Sequence, residues 1–244
     1  MEGPFWIDSH TPVHRFPDVA MAMEEPDGLL AVGGDLSSAR LLAAYSQGIF
    51  PWYSAGQPIL WWSPNPRAVL YPSKLRVSRS LRKRLRKREY RVSLDEDFTG
   101  VIQGCSEPRS GQDGTWITAE MKLAYQQLHE EGYAHSVEAW YGSELVGGLY
   151  GVALGKAFFG ESMFSRRTDA SKVAFVHLTR QLMRWGYHMI DCQVSSEHLA
   201  SLGAEEIARE EFIQQLQTLV YQTAHPMPWR MEASDSLLAD IMNP

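Results

Sequence analysis

Cysteine is scarce. Cys105 and Cys192 are the two in 244 residues, which excludes a disulfide framework and points to reduced thiols. The eight histidines are scattered without metal-ligand spacing, so no bound metal is expected. No run approaches the roughly 18 apolar residues of a membrane span, and the opening MEGPFWIDSHTPVHRF has neither a basic leader nor an apolar h-region. A cytoplasmic protein without membrane attachment is therefore expected. Also missing is an R/Q-x-x-G-x-G/A loop between the strands and the long helix of the C-terminal part. Backbone donors in such a loop would hold a pyrophosphate, so coenzyme A chemistry loses its binding element and no cofactor is expected. No internal repeat or low-complexity segment occurs.

What is present is an ordinary globular composition, 44% hydrophobic and 21% charged, enough for one large domain or two unequal ones. Two stretches depart from it. Residues 48–66, GIFPWYSAGQPILWWSPNP, gather three tryptophans, four prolines and a tyrosine. They are either a stiff loop covering a small core or a set of rings with something to bind. Residues 74–91, KLRVSRSLRKRLRKREYR, hold ten of the 23 Lys and Arg against one acid, Glu89. That segment is +9 in a chain of net charge −6, which leaves −15 for the remainder. With Ser80 as cap, Leu81 and Leu85 form an inward stripe and six cations face outward. Such a ridge is either a solvated surface helix or the footprint of a polyanion. Like-charge repulsion in an otherwise acidic protein favours the second, with salt-dependent binding.

Two parts are expected, a small N-terminal domain over residues 1–67 and a larger one over 68–244. In the second, AVLYP (68–72) and YRVSL (90–94) pattern as strands. EMKLAYQQLHEEG (120–132) is a helix closed by Gly132, and HSVEAWY (135–141) alternates as a strand. ELVGGLYGVALG and KAFFGES form a hairpin after the turn Gly142-Ser143. ASKVAFVHLTRQLMRWG (170–186) has a helical apolar period, YHMIDCQV (187–194) is a buried strand, and SSEHLASLGA opens another helix. The fold class is α+β, in the element order of an acyltransferase.

Five blocks in order, GGDLSSARLLAAYSQGIFPWYS, PILWWSPNPRAVL, GTWIT, GGLYGVALGKAFFGESMFS and IDCQVSSEHLASLGA, resemble the leucyl/phenylalanyl-tRNA–protein transferase family from about Gly28 to Ile207. The resemblance implies a small N-terminal domain packed on a domain like the GCN5-related N-acetyltransferases. It implies transfer of leucine or phenylalanine from Leu-tRNA or Phe-tRNA to the N-terminal amine of proteins beginning with Arg or Lys, marking them for N-degron degradation. Action as a monomer is expected.

Carried over residue by residue, the resemblance sets Trp52 and Trp116 around the terminal adenosine of the tRNA, with Tyr45 and Tyr125 as neighbours. A base stacked on an aromatic ring is stabilised by about 1–3 kcal/mol without sequence readout. Leu149, Phe158, Met163, Phe175, Leu178 and Ile190 would line the side-chain pocket, although their spacing is equally that of a core. One methylene separates substrates by about 1–3 kcal/mol, so methionine is expected as a weak substrate. Arg76, Arg79, Arg82, Lys83 and Arg86 are the expected phosphate contacts.

Three residues are candidates for the chemistry. Glu161 lies among large apolar side chains and needs a cation or several donors beside it. Strand alternation in MIDCQV directs Asp191 and Gln193 to one face, away from Ile190 and Cys192. Aminolysis of an ester needs a neutral amine, a stabilised oxyanion and a proton route to the leaving oxygen. An amide is too weak a base to act alone, so Gln193 is expected to accept a hydrogen bond from the amine, with its NH2 group on Asp191. Two alternatives stand beside this reading, a coenzyme A-dependent N-acetyltransferase and a noncatalytic RNA-binding module. The second leaves Glu161, Asp191 and Gln193 without purpose. One departure from the family pattern is Arg209-Glu210-Glu211, where paired basic residues are common.

Overall fold

The β-branched and aromatic runs of the chain pair into two sheets in a computed structural model that describes residues 3–108 and 116–242. Gly114 and Thr115 of the GTWIT block lie outside the described residues. The smaller sheet comprises β1 (Phe5–Ile7), β2 (Leu29–Gly33), β3 (Phe50–Pro51) and β4 (Leu60–Trp62), in the order β1-β2-β4-β3. Helix α1 (Ser38–Ser46) connects its second and third strands, capped by Ser37. The Trp61 ring is fully buried and its Nε1 donates to the Gly33 carbonyl at 2.9 Å, so this tryptophan belongs to the core.

The larger sheet follows from β5 (Arg67–Leu70). Helix α2 (Arg79–Lys87), β6 (Arg91–Leu94), α3 (Phe98–Ser106) and α4 (Ala119–Glu130) come next. Then come β7 (Ala134–Tyr141), β8 (Glu144–Leu154), β9 (Ala157–Ser165), α5 (Ala170–Arg184), β10 (Met189–Gln193) and α6 (Glu197–Ser201). Strand β11 (Glu205–Ile207), α7 (Arg209–Leu219), α8 (Ser234–Leu237) and α9 (Ala239–Met242) complete the described chain. The strand order is β11-β5-β10-β9-β8-β7-β6, and among the described residues its one parallel pair is β9 with β10, joined by the long crossover helix α5. The class is α+β.

One expectation about the basic helix is corrected. Ser78, not Ser80, is its cap: the Ser78 hydroxyl accepts from the Leu81 amide at 3.2 Å, so the helix starts one residue before Ser80. Leu81 and Leu85 are buried, and Arg76, Arg79, Lys83 and Arg86 are exposed, with Arg82 half-buried. Position Arg88 takes φ 50 at the C-terminal end, and the chain turns back into β6.

Close approach of layers depends on glycine at two places in β8. A Cβ on Gly147 would lie 2.6 Å from that of Ala170, so the first turn of α5 can rest directly on the strand. A Cβ on Gly151 would lie 2.2 Å from the Phe159 carbonyl oxygen and 2.6 Å from the Phe158 ring, so glycine lets that ring pack on the strand. Both contacts shape the cavity described below.

The two sheets share one core cluster, which runs from Ile7, Leu30 and Trp61 through Tyr45 and Phe159 to Phe212. At its centre is an ion pair with no exposure on either side chain. Arg67 of β5 binds Asp191 of β10 through Nε to Oδ1 at 2.9 Å and Nη2 to Oδ2 at 2.7 Å. Its guanidinium lies over the rings of Phe50, at 4.8 Å, and Phe212, at 4.5 Å. The pair thus joins the small sheet, the large sheet and α7.

Loss of one partner from such a pair leaves an uncompensated buried charge and costs about 3–5 kcal/mol. Asp191→Asn and Arg67→Met are each expected to lose stability of that order in urea unfolding. Variants that unfold at the parent's urea concentration would show that the pair does not hold the sheets.

Candidate functional site

A cavity of about 780 Å³ opens where the parallel strands β9 and β10 meet the start of α5 and helix α6. Five of the six side chains expected to hold an amino-acid side chain line it: Leu149, Phe158, Met163, Phe175 and Ile190. Leu178 does not. It is fully buried one turn beyond Phe175, in the same core cluster, and only Phe175 of the two reaches the cavity. A smaller cavity of about 170 Å³ lies alongside, between Trp52, Trp116 and the β3 residues Phe50 and Pro51. Trp52 is 46% exposed, an unusual degree for an indole. Its neighbour Trp62 donates from Nε1 to the Trp52 carbonyl at 2.6 Å, and the two rings are tilted with centroids 5.9 Å apart. Trp62 therefore holds the backbone under an indole that itself faces outward.

The two cavities share four lining residues, Trp116, Glu161, Cys192 and Gln193. Glu161 is the centre of this junction. Its Oε1 accepts from the Tyr45 hydroxyl at 2.7 Å and from Gln193 Nε2 at 3.0 Å, and its Oε2 accepts from the Tyr125 hydroxyl at 2.7 Å. The two phenols also touch, oxygen to oxygen, at 2.5 Å. Burial raises the Glu161 carboxyl to about 7 against the opposing pull of Tyr125, Tyr45 and Gln193, and the nearby Asp191 charge adds to the rise. Burial and the Glu161 charge hold the pKa of both tyrosines well above the ordinary phenol value, so they remain donors.

Three expectations about this neighbourhood are corrected. Tyr45 and Tyr125 are fully buried and line neither cavity; they lie on α1 and α4, and their hydroxyls reach Glu161. Asp191 lines neither cavity, because Arg67 occupies its carboxylate. Gln193 does not share a face with Asp191 either. The pairing of β10 with β5 slips between Asp191 and Gln193, and Gln193 adopts φ 63, so the strand's alternation ends there. The bulge re-aims the side chain, as bulges do, and its NH2 group meets Glu161 instead of Asp191. Asp191 reaches Gln193 through the backbone: its Oδ1 accepts from the Gln193 amide at 2.9 Å.

The sequence reading passed over other contributors. Ser196, His198 and Leu199 of the α6 turn form one wall of the larger cavity, together with Ser171 at the start of α5. The signal was the SSEH run directly after the buried strand. At the mouth stand Arg166 and Glu107, paired at 2.5 Å. The basic segment is tied to residues that flank α6 and α5, the helices that carry this wall. The Arg76 amide donates to the Leu202 carbonyl at 2.8 Å, just past α6, and Arg84 lies 3.8 Å from Asp169, the residue before α5. Arg209 is tied to the 63–65 loop, its Nη1 donating to the Ser63 carbonyl at 2.6 Å and its amide to Asn65.

Comparison with known proteins gives consistent matches. The model for "Leucyl/phenylalanyl-tRNA protein transferase" matches residues 69–217, and that for the family's N-terminal domain matches residues 34–65. The chain is 59% identical to the leucyl/phenylalanyl-tRNA–protein transferase of Nitrosospira multiformis over 92% of this chain and 95% of that one. It is 59% identical to that of Chromobacterium violaceum, covering 88% and 91%, and 57% identical to that of Alkalilimnicola ehrlichii, covering 93% and 89%. Among solved structures, a GCN5-related N-acetyltransferase from Kribbella flavida shares 12% identity over 68% of this chain and 59% of its own, with a TM-score of 0.37. That likeness is too loose to decide any feature of this site.

The raised Glu161 carboxyl has a consequence for stability. The folded protein binds this proton more tightly than the unfolded chain does. The group therefore favours folding below pH 4.5 and loses that contribution as pH rises through about 7. Glu161→Gln carries no charge at either extreme, so its Tm relative to the parent should improve between about pH 5 and about pH 8.5. A difference that stays constant across that range would mean that Glu161 ionises freely.

Proposed function

The chain belongs to the leucyl/phenylalanyl-tRNA–protein transferase family and is an aminoacyltransferase, and we propose that its two joined cavities carry out the transfer as follows. The terminal adenosine of Leu-tRNA or Phe-tRNA stacks on Trp52 and Trp116. The amino-acid side chain enters the apolar part of the larger cavity, and the N-terminal amine of an acceptor protein arrives at the junction. The observation that carries this reading is the sharing of Trp116, Glu161, Cys192 and Gln193 by both cavities, one with an apolar side and one flanked by indoles. A donor bound across them would present its ester carbon where Gln193 and Glu161 stand.

The walls support the choice of substrate. Leu149, Phe158, Met163, Phe175 and Ile190 offer no polar partner, which suits leucine and phenylalanine and admits methionine weakly. A stacking platform takes any tRNA that carries the right amino acid, since every base has a π-face. Arg76, Arg79, Arg82, Lys83 and Arg86 then contact phosphate along the acceptor stem. Support comes from the contacts of the ridge with Leu202, just past α6, and Asp169, just before α5, the two helices that help to wall the larger cavity.

The acceptors are proteins beginning with Arg or Lys, whose transfer product is marked for N-degron degradation. Glu161 and Glu107 are the acidic residues that line the cavities among the described positions, and they suit a cationic acceptor. Gln193 orients the amine. With Nε2 committed to Glu161, its carbonyl oxygen is left to accept an N–H from the nucleophile. The ester is already activated, so alignment of amine and carbonyl supplies much of the rate. Asp191 and Arg67 act behind Gln193, by fixing its backbone. The enzyme acts as a monomer on this reading, and a tRNA substrate suits a cytoplasmic location. The chain is read as two units, residues 1–67 and 68–244, a boundary that falls one residue inside β5, whose Arg67 pairs with Ile207 in the large sheet.

Transfer of radiolabelled leucine from Leu-tRNA to an Arg-starting peptide tests the reading, with acetyl-CoA as a control donor. Label in the peptide from Leu-tRNA alone is the expected result; acetylation of the peptide instead would overturn it.

The phosphate contacts and the stacking platform separate in the same assay. Replacing Arg82, Lys83 and Arg86 by alanine should raise the tRNA KM and flatten its salt dependence, with little change on an aminoacyl-adenosine donor. Equal losses with both donors would remove the ridge from tRNA binding. Trp116→Ala should weaken even the minimal donor, by about 1–3 kcal/mol.

A further inference from the structure

Aminolysis releases a proton from the attacking amine and consumes one at the departing ribose oxygen, so a single group between the two can serve both ends. The junction of the cavities is where amine and ester meet on the reading above, on which this inference rests. Its shared lining residues are Trp116, Glu161, Cys192 and Gln193. An indole offers no basic atom, and an amide is too weak a base. The Cys192 thiol is pushed up by burial, with the Asp191 charge adding to the rise, and so stays protonated. Asp191 itself is closed off by Arg67. A carboxylate accepts about four hydrogen bonds. In Glu161, Oε1 receives two and Oε2 one, which leaves one acceptor position open on a half-buried residue that borders both cavities.

We propose that Glu161 is the proton carrier of the transfer, with Tyr45 and Tyr125 as the residues that position it. The neutral amine attacks the ester carbon, a C–N bond forms and the carbonyl π pair moves to oxygen. The ammonium so created gives a proton to Glu161 Oε2. The tetrahedral intermediate then collapses, the C–O bond to the ribose breaks, and the proton on Glu161 passes to the departing oxygen. The peptide bond and the free ribose hydroxyl are the products, and the carboxylate is restored. Neither phenol need ionise; both donate from beneath and hold the carboxylate against rotation.

The surroundings fit a carrier of this kind. Facing the carboxylate are Tyr45 from α1, Tyr125 from α4, the fully buried Tyr150 from β8, and Gln193 and Asp191 from β10, the last neutralised by Arg67 of β5. No cation in this set binds Glu161 directly, so burial raises its carboxyl to about 7, where it can both take and return a proton near neutrality. The Tyr125 ring is braced edge-on by Tyr150 at 5.4 Å, and the Tyr45 ring packs against Phe159 at 5.0 Å.

The test is the pH dependence of leucine transfer from Leu-tRNA to an Arg-starting peptide at saturating donor and acceptor, for the parent, Glu161→Gln, Tyr45→Phe and Tyr125→Phe. Glu161→Gln should lose about 100-fold or more in kcat, while binding aminoacyl-adenosine like the parent. Each phenylalanine variant removes a donor to the ionised form, so the pH below which the rate falls should move upward. A limb that belongs to the acceptor's own ammonium would stay in place in every variant, and that result would overturn the inference. So would a glutamine variant of parental kcat. If the glutamine variant does not fold, the two phenylalanine variants decide alone. A parent that transfers no leucine at any pH would instead sink the reaction on which the inference rests.

Discussion

Asp191 has no exposed surface and two customers for its carboxylate, the Arg67 guanidinium and the Gln193 backbone amide. The ion pair stitches β5 to β10 under the rings of Phe50 and Phe212, and the amide contact pins the residue at which β10 leaves its regular pairing. An isolated buried carboxylate is costly. Here two directed donors on one guanidinium and one backbone N–H satisfy it. A non-glycine residue at φ 63 also costs free energy, and it persists when its surroundings over-determine it. The Asp191 contact is that determinant. Because of it, the Gln193 side chain leaves the strand's own face and reaches Glu161.

A second layer of constraint meets the first at the same carboxylate. Tyr45 comes from the N-terminal part of the chain and Tyr125 from the helix before the large hairpin, yet both hydroxyls end on Glu161. The junction is therefore fixed from below by two phenols and from the side by an amide, with no cation among its direct partners. Rigidity of this kind suits a reaction in which position supplies most of the rate. It also explains why the small sheet is needed for a site that lies on the large one: α1 contributes Tyr45 and β3 leads into Trp52.

Much of the fold was legible because its signals are local. The apolar periods of α4 and α5, the glycine after α4 and the hairpin at Gly142 are written in neighbouring residues. The Leu81 and Leu85 stripe correctly oriented the basic helix, although the cap was misplaced by two residues, since Ser78 and Ser80 are equally good cap types. The site was legible only in part. Alternation along MIDCQV assumes an unbroken strand, and the bulge that breaks it depends on Arg67, 124 positions away. The burial of Tyr45 and Tyr125 likewise depends on a partner, Glu161, that no local pattern connects to them. Leu178 fits the helical stripe of α5 as well as Phe175 does, and the part of the helix that meets the cavity is decided by packing against β8.

The central claim is that Gln193 and Glu161 act as one unit whose geometry Asp191 fixes from behind. A double-mutant cycle reads this directly, through kcat/KM for leucine transfer in Gln193→Ala, Glu161→Gln and the double variant, each first confirmed as folded. If the two side chains act as a unit, the second substitution adds little to the first, and the double variant should lie within about threefold of the worse single one. Losses that multiply would mean that the amide and the carboxylate serve the reaction independently, and the account of the junction would be wrong.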